Sequence, residues 1–227
     1  MRARTHLALA AAAATLAVGA LPASAASPVP PVAAAVLTAG GAAGPAVAVG
    51  DVLAAPLVSG SKATFYSTAA GGTGVTCAVS QYTSKVTSNP AAPGVATAAL
   101  TGQTFSSCTA NVTGVTSVKS LTVGNLPYTV SVSDAAGLPV TMAGGSAGPI
   151  QATAVLNSWF GTLTCTYQLS GAFTGSADNT AHSLSFRNEY FVKSGGSGLC
   201  PGEGYFSASY GPVADSSQAG SPVVTVN

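Results

Sequence analysis

The sequence predicts an all-β fold, an antiparallel β-sandwich of about ten strands, immunoglobulin-like or jelly-roll-like, with two intradomain disulfides. Three observations carry this expectation. Apolar and polar residues alternate with period two through much of the chain. Clusters of Gly, Pro, Asn and Asp separate the alternating runs at short, roughly even intervals. After residue 25, no window sets apolar residues at helical spacing against a charged face.

Arg2 and Arg4 open the chain, residues 7–21 are almost wholly Ala, Leu, Val and Gly, and Ala23-Ser24-Ala25 supplies an A-x-A cleavage site. Residues 1–25 therefore read as a secretory signal peptide. The apolar run is shorter than the roughly 20 residues a membrane-spanning helix needs. Ala3 separates the two arginines and no cysteine stands near the cleavage point, so general secretion is expected rather than twin-arginine export or lipid anchoring. Residues 26–45, rich in Ala, Pro, Gly and Val without a sustained period, predict a flexible arm, and residues 46–227 a single β domain.

Within that domain, strands are expected over 62–67, 75–87, 95–106 and 116–123. Tyr128, Val130 and Val132 then alternate with Thr129, Ser131 and Ser133, and 138–142 and 150–156 follow. Leu163, Cys165, Tyr167 and Leu169 share one face, with Thr162, Thr164, Thr166 and Gln168 on the other; 182–192, 203–210 and 222–226 complete the set. The intervening runs, among them AAGGTG, SNPAAPG, DAAG and SGGSG, tolerate positive φ or preset a turn, which predicts short connections between antiparallel neighbours. The final run, Val223 to Val226, is a flat Thr- and Val-rich edge that could pair with a neighbouring chain.

Cys77, Cys108, Cys165 and Cys200 form an even set in an exported chain, spaced too widely for C-x-x-C metal motifs. The midpoint of Cys77 and Cys108 falls inside the turn from Asn89 to Gly94, so a hairpin would bring the two sulfurs together at its open end. The midpoint of Cys165 and Cys200 lies near His182, a few residues past the turn at Asp178 and Asn179. The Gly-rich stretch from Ser194 to Gly198 could absorb the difference. The expected bridges are Cys77 with Cys108 and Cys165 with Cys200.

Charge narrows the range of functions. Only 6% of residues are charged, and beyond the signal peptide Lys62, Lys85, Lys119, Arg187 and Lys193 stand against six carboxylates, a net charge of −1. No positive run exists to bind nucleic acid or an anionic membrane surface, and no membrane insertion is expected after signal removal. Solubility falls instead to hydroxyls, since about a quarter of the remaining residues are Ser or Thr.

Catalytic residue types are scarce. Gly144-Gly145-Ser146-Ala147-Gly148 matches G-x-S-x-G, and Asp178 and His182 follow in α/β-hydrolase order. A nucleophile elbow, however, needs a helix after the serine, and Pro149 and another strand follow it here. His182 is the one histidine beyond the signal peptide, so neither a metal nor a cofactor is expected. Glu189 and Glu203 are the carboxylates a glycosidase would use, and Arg187 and Glu189, two apart on a strand, suit an exposed ion pair. No catalytic residue is assigned. Aromatic rings remain. Trp159, beside Phe160 at a turn, and Tyr205 and Tyr210 on a late strand are the candidate binding residues, whereas Phe186, Phe191 and Phe206 are expected in the core.

The runs GSKATFYST, TGQTFSSCTANVTGV, NLPYTV and GSAGPIQATAVLN, with the stretch from Ser197 to Phe206, resemble a group of small secreted actinomycete proteins known by their export signals, some as twin-arginine substrates. The resemblance runs from about residue 46 to the end. It carries no activity and no catalytic residues, and the chain departs from the twin-arginine pattern at Ala3. The function expected is that of a secreted, non-enzymatic binding or structural module of unknown ligand, extracellular or loosely associated with the cell envelope, with an envelope polysaccharide or protein as the candidate partner. A carbohydrate-binding module using exposed aromatics and a secreted hydrolase are the alternatives.

Overall fold

The computed structural model describes residues 33–169 and 171–227; the expected signal peptide and residues 26–32 of the expected arm lie outside the described residues. Among the described residues there is no helix. β1 (Leu37–Ala39) and β2 (Val52–Pro56) are followed by the hairpin of β3 (Ala63–Tyr66) and β4 (Gly74–Ser88). β5 (Val95–Ala110) returns along β4 and turns into β6 (Val115–Gly124), and β7 (Tyr128–Ser133) pairs with β8 (Pro139–Ala143). β9 (Gln151–Ser158) and β10 (Gly161–Leu169) form a further hairpin. β11 (Ala172–Asp178), β12 (Ser183–Gly196), β13 (Glu203–Tyr210), β14 (Ala214–Asp215) and β15 (Val224–Val226) follow.

Eight strands close on themselves as an antiparallel barrel. β11, β8, β7, β5, β4, β3, β13 and β12 are hydrogen-bonded in that order, and β11 pairs again with β12. This corrects the sandwich expected from the sequence. The cause lies in long strands that change partner partway. β4 gives one edge to β5 and divides the other between β3, at residues 74–77, and β2, at 81–85. β12 likewise bonds β11 at residues 183–186 and β10 at 191–196, so β10, β9 and β6 branch from the barrel wall. Alternation reveals which face a residue occupies and says nothing of which strand lies beside it.

The register places four turns at one end of the long strands: the hairpin turns 67–73, 159–160 and 197–202, and the connection 111–114 from β5 to β6. Gly74 of β4 lies opposite Tyr66, which lies opposite Tyr205 near the start of β13; Val75 faces Ala110 at the end of β5; and Val115 faces Ser158. Apolar side chains fill the interior. Phe173 packs against Phe186, Phe191 and Phe206 with ring centroids 5.6–5.7 Å apart, and all four are buried. Each such ring removed from water contributes about 1.5–3 kcal/mol, so this cluster fixes where β11, β12 and β13 meet.

Both expected disulfides form. Cys77 and Cys108 are directly opposite each other in the β4–β5 ladder, at the open end of the predicted hairpin. Cys165 of β10 is bonded to Cys200, and β10 pairs with residues 191–196 of β12, but their connection is not the plain turn at Asp178 and Asn179 that the spacing suggests: it contains β11. Strand β11 occupies the place that the simpler hairpin would have used. Lys193 supports the second bridge: its ammonium donates to the carbonyls of Ser197 (3.3 Å) and Cys200 (3.4 Å).

The described part of the expected arm, residues 33–45, belongs to the fold, which corrects that expectation. Val36, Leu37 and Ala39 are buried, and β1 pairs with β15. Asn89 fixes the segment by accepting from the Leu37 amide and donating to the carbonyls of Leu37 and Val47, each at 2.8 Å. The same pairing uses up the last strand: β15 is buried along its length and bonded within the chain, so it is not the exposed edge expected from Val223 to Val226.

Candidate functional site

The tightest turn at the gathered end carries the most exposed aromatics. Trp159 and Phe160 form the two-residue turn between β9 and β10 and are 74% and 82% exposed. Their backbone is held. The Trp159 amide donates to Gly114 O at 3.0 Å, the Phe160 amide to Ser158 Oγ at 3.2 Å, and Ser158 Oγ donates to Gly161 O at 2.8 Å. Gly161 takes φ of 105°, which closes the turn where a side chain would be strained. Leu199, also exposed, belongs to the turn that carries Cys200 at the same end. Below these turns a cavity of about 80 Å³ opens between Val112, Val115, Leu156, Leu163 and Leu199.

The other two candidate binding residues separate by face. On β13, Tyr205, Ser207 and Ser209 point outward, whereas Phe206, Ala208 and Tyr210 point into the barrel. Tyr205 is half-buried on the outer wall. Tyr210 is buried, which removes it as a ligand contact: its hydroxyl meets Gln103 Nε2 at 2.8 Å and Ser80 Oγ at 3.0 Å, and burial pushes its pKa up.

Two further tyrosines face outward beside Tyr205. Tyr190 of β12 lies opposite Tyr205, and Tyr205 lies opposite Tyr66 of β3, so three rings cross three adjacent strands on one row. Tyr66 and Tyr190 are not among the residues expected from the sequence. Tyr66 faces outward by alternation with Phe65, Tyr190 faces outward because the β12 bulge precedes it, and the register brings both into line with Tyr205.

The alternative chemistries do not assemble. Asp178 Oδ1 accepts from the Thr180 and Ala181 amides at 2.7 and 3.2 Å, capping its own turn, and His182 Nδ1 lies 3.1 Å from Val224 O. Ser146 is exposed in the turn between β8 and β9. Glu203 is exposed on the outer wall, but Glu189 is buried on the inner side, so the two carboxylates do not face each other across a cleft. A β-bulge explains the inversion: the β12–β13 register slips between Phe186 and Glu189, where Asn188 has φ of 55°, and every later side chain changes face. Glu189 thereby leaves the exposed ion pair expected with Arg187. Its Oε2 accepts from the Thr174 amide at 3.1 Å, and burial raises its pKa. Asp215 is wholly buried and accepts from Ser217 N and Gln218 Nε2. Burial raises its pKa, and the neighbouring Asp51 carboxyl adds to the shift. Among the described residues, no group of three or more His, Cys, Asp or Glu side chains is placed to hold a metal ion.

Comparison of the chain with protein-family models, curated proteins and solved structures finds no match.

Proposed function

We propose that this protein is a secreted, non-enzymatic binding module of the extracellular space or cell envelope, anchored to its partner through the Trp159–Phe160 hairpin tip. The observation that carries the reading is where the aromatics lie. A fold that buries most of its phenylalanines leaves its one tryptophan and the adjoining phenylalanine at 74% and 82% exposure, on a turn stiffened by four short backbone constraints: three hydrogen bonds and Gly161. Exposed Trp and Phe on a rigid element supply large contact area at little entropic cost, the character of residues that dominate binding energy. With a net charge of −1 beyond the signal peptide, the partner is held by contact rather than by long-range attraction.

The reading is tested by sedimenting the exported chain with isolated cell envelope. The chain is expected to pellet with the envelope, and a Trp159→Ala, Phe160→Ala variant to bind at least about tenfold more weakly, since each tenfold corresponds to about 1.4 kcal/mol of lost contact. Equal retention of the folded variant and the parent would overturn the assignment of the tip.

A further inference from the structure

We propose that the row formed by Tyr190, Tyr205 and Tyr66 is a second binding surface, a platform for an extended neutral polysaccharide. It lies on the outer wall of β12, β13 and β3, apart from the hairpin tip. Adjacent strands are about 4.8 Å apart, so the three rings span about 10 Å across the sheet. That is a strip, rather than a pocket, and it suits a chain ligand.

The rings are held in place before any ligand arrives. The Tyr190 hydroxyl donates to Glu203 Oε2 at 3.1 Å, and Glu203 is the outward residue diagonally beyond Tyr205. The Tyr66 hydroxyl lies 3.2 Å from Thr76 Oγ1, diagonally across the next strand. Each bond ties its ring to a residue diagonally across the sheet, and Tyr190 is 44% exposed. Tyr205 sits between them, its ring centroid 5.3 Å from that of Tyr190. On the inner face of the same strands, Phe65, Phe191 and Phe206 join the core, which fixes the backbone beneath the platform.

The chemistry around the rings selects the ligand. The neighbouring row is Ser207, Thr64 and Thr76, aligned strand to strand, with Ser207 Oγ accepting from the Asn188 amide at 2.9 Å. Ring faces take the C–H faces of sugar rings, and flanking hydroxyls and a carboxylate oxygen exchange hydrogen bonds with sugar hydroxyls. The row itself contains no cation, and Glu203 at its edge repels phosphate, sulfate and uronate groups. A neutral polyol is the ligand that such a surface accepts without an unpaired charge.

The test is depletion of the folded chain by insoluble cellulose and chitin, with polygalacturonate as the anionic comparator. Binding to a neutral polysaccharide is expected, insensitive to high salt. Tyr205→Ala and Tyr190→Ala should each weaken it about tenfold and Tyr205→Phe should retain it, with thermal melts showing that each variant is folded. Three results would overturn the platform: no depletion by either neutral polysaccharide, a preference for polygalacturonate, or undiminished binding by folded Tyr205→Ala and Tyr190→Ala. Because the hairpin tip uses different residues and is tested on whole envelope, failure of one surface is separable from failure of the other.

Discussion

Glu189 is a carboxylate buried on the inner side of the barrel wall. Its raised pKa means that the folded state holds a proton more tightly than the unfolded chain does. The stabilising contribution is therefore present in full below the ordinary Glu value of 4.5 and is lost as pH rises through the raised folded value. Asp215 acts in the same direction. Glu189→Gln, which keeps an acceptor for Thr174 N, should raise the melting temperature at neutral pH and flatten its fall with rising pH; a steeper fall would contradict the burial of this side chain. Tyr210→Phe removes a hydroxyl shared by Ser80 and Gln103 and should cost about 1 kcal/mol in denaturant unfolding. Part of this was legible in the sequence. Tyr205 and Tyr210 are five positions apart, and strict alternation alone puts them on opposite faces. The inward turn of Glu189 was not legible, because nothing local in Phe186-Arg187-Asn188-Glu189 announces a bulge.

Among the elements, the two disulfide-linked hairpins differ in how they were foreshadowed. The Cys77–Cys108 hairpin is simple, with one turn between two long alternating runs, and its sequence symmetry was enough to pair it. For Cys165–Cys200 the pairing was readable but its route was not, since β11 intervenes to close the barrel. Replacing Cys165 and Cys200 by Ser should remove about 3–4 kcal/mol on the loop-entropy account and increase amide exchange in the turn carrying Leu199. Unchanged exchange there would mean that Lys193 and the backbone hold the turn unaided. Strand β1 was missed because its surroundings are Ala-, Pro- and Gly-rich, and its stability comes from Asn89 and β15, which are remote in sequence. Leu37→Asp would bury a carboxylate at the contact with β15 and should destabilise the fold by about 3 kcal/mol or more. A variant as stable as the parent would show that β1 is dispensable.

At the scale of the molecule, the all-β class and its antiparallel pairing follow from period-two patterning, but closure does not. A sandwich and a barrel present the same alternation, and the difference lies in the split edges of β4 and β12. Closure fills the interior with side chains, and both proposed binding surfaces, the tip at one end and the aromatic strip on one wall, lie outside it. The chain's single tryptophan lies in the tip and reports on it directly. Trp159 fluorescence of the free protein should show the red-shifted emission of a water-exposed indole, and titration with isolated envelope should shift it to the blue as the tip becomes covered. An emission already blue in the free protein, or one unmoved while the protein is pelleted with envelope, would contradict binding through the Trp159–Phe160 tip.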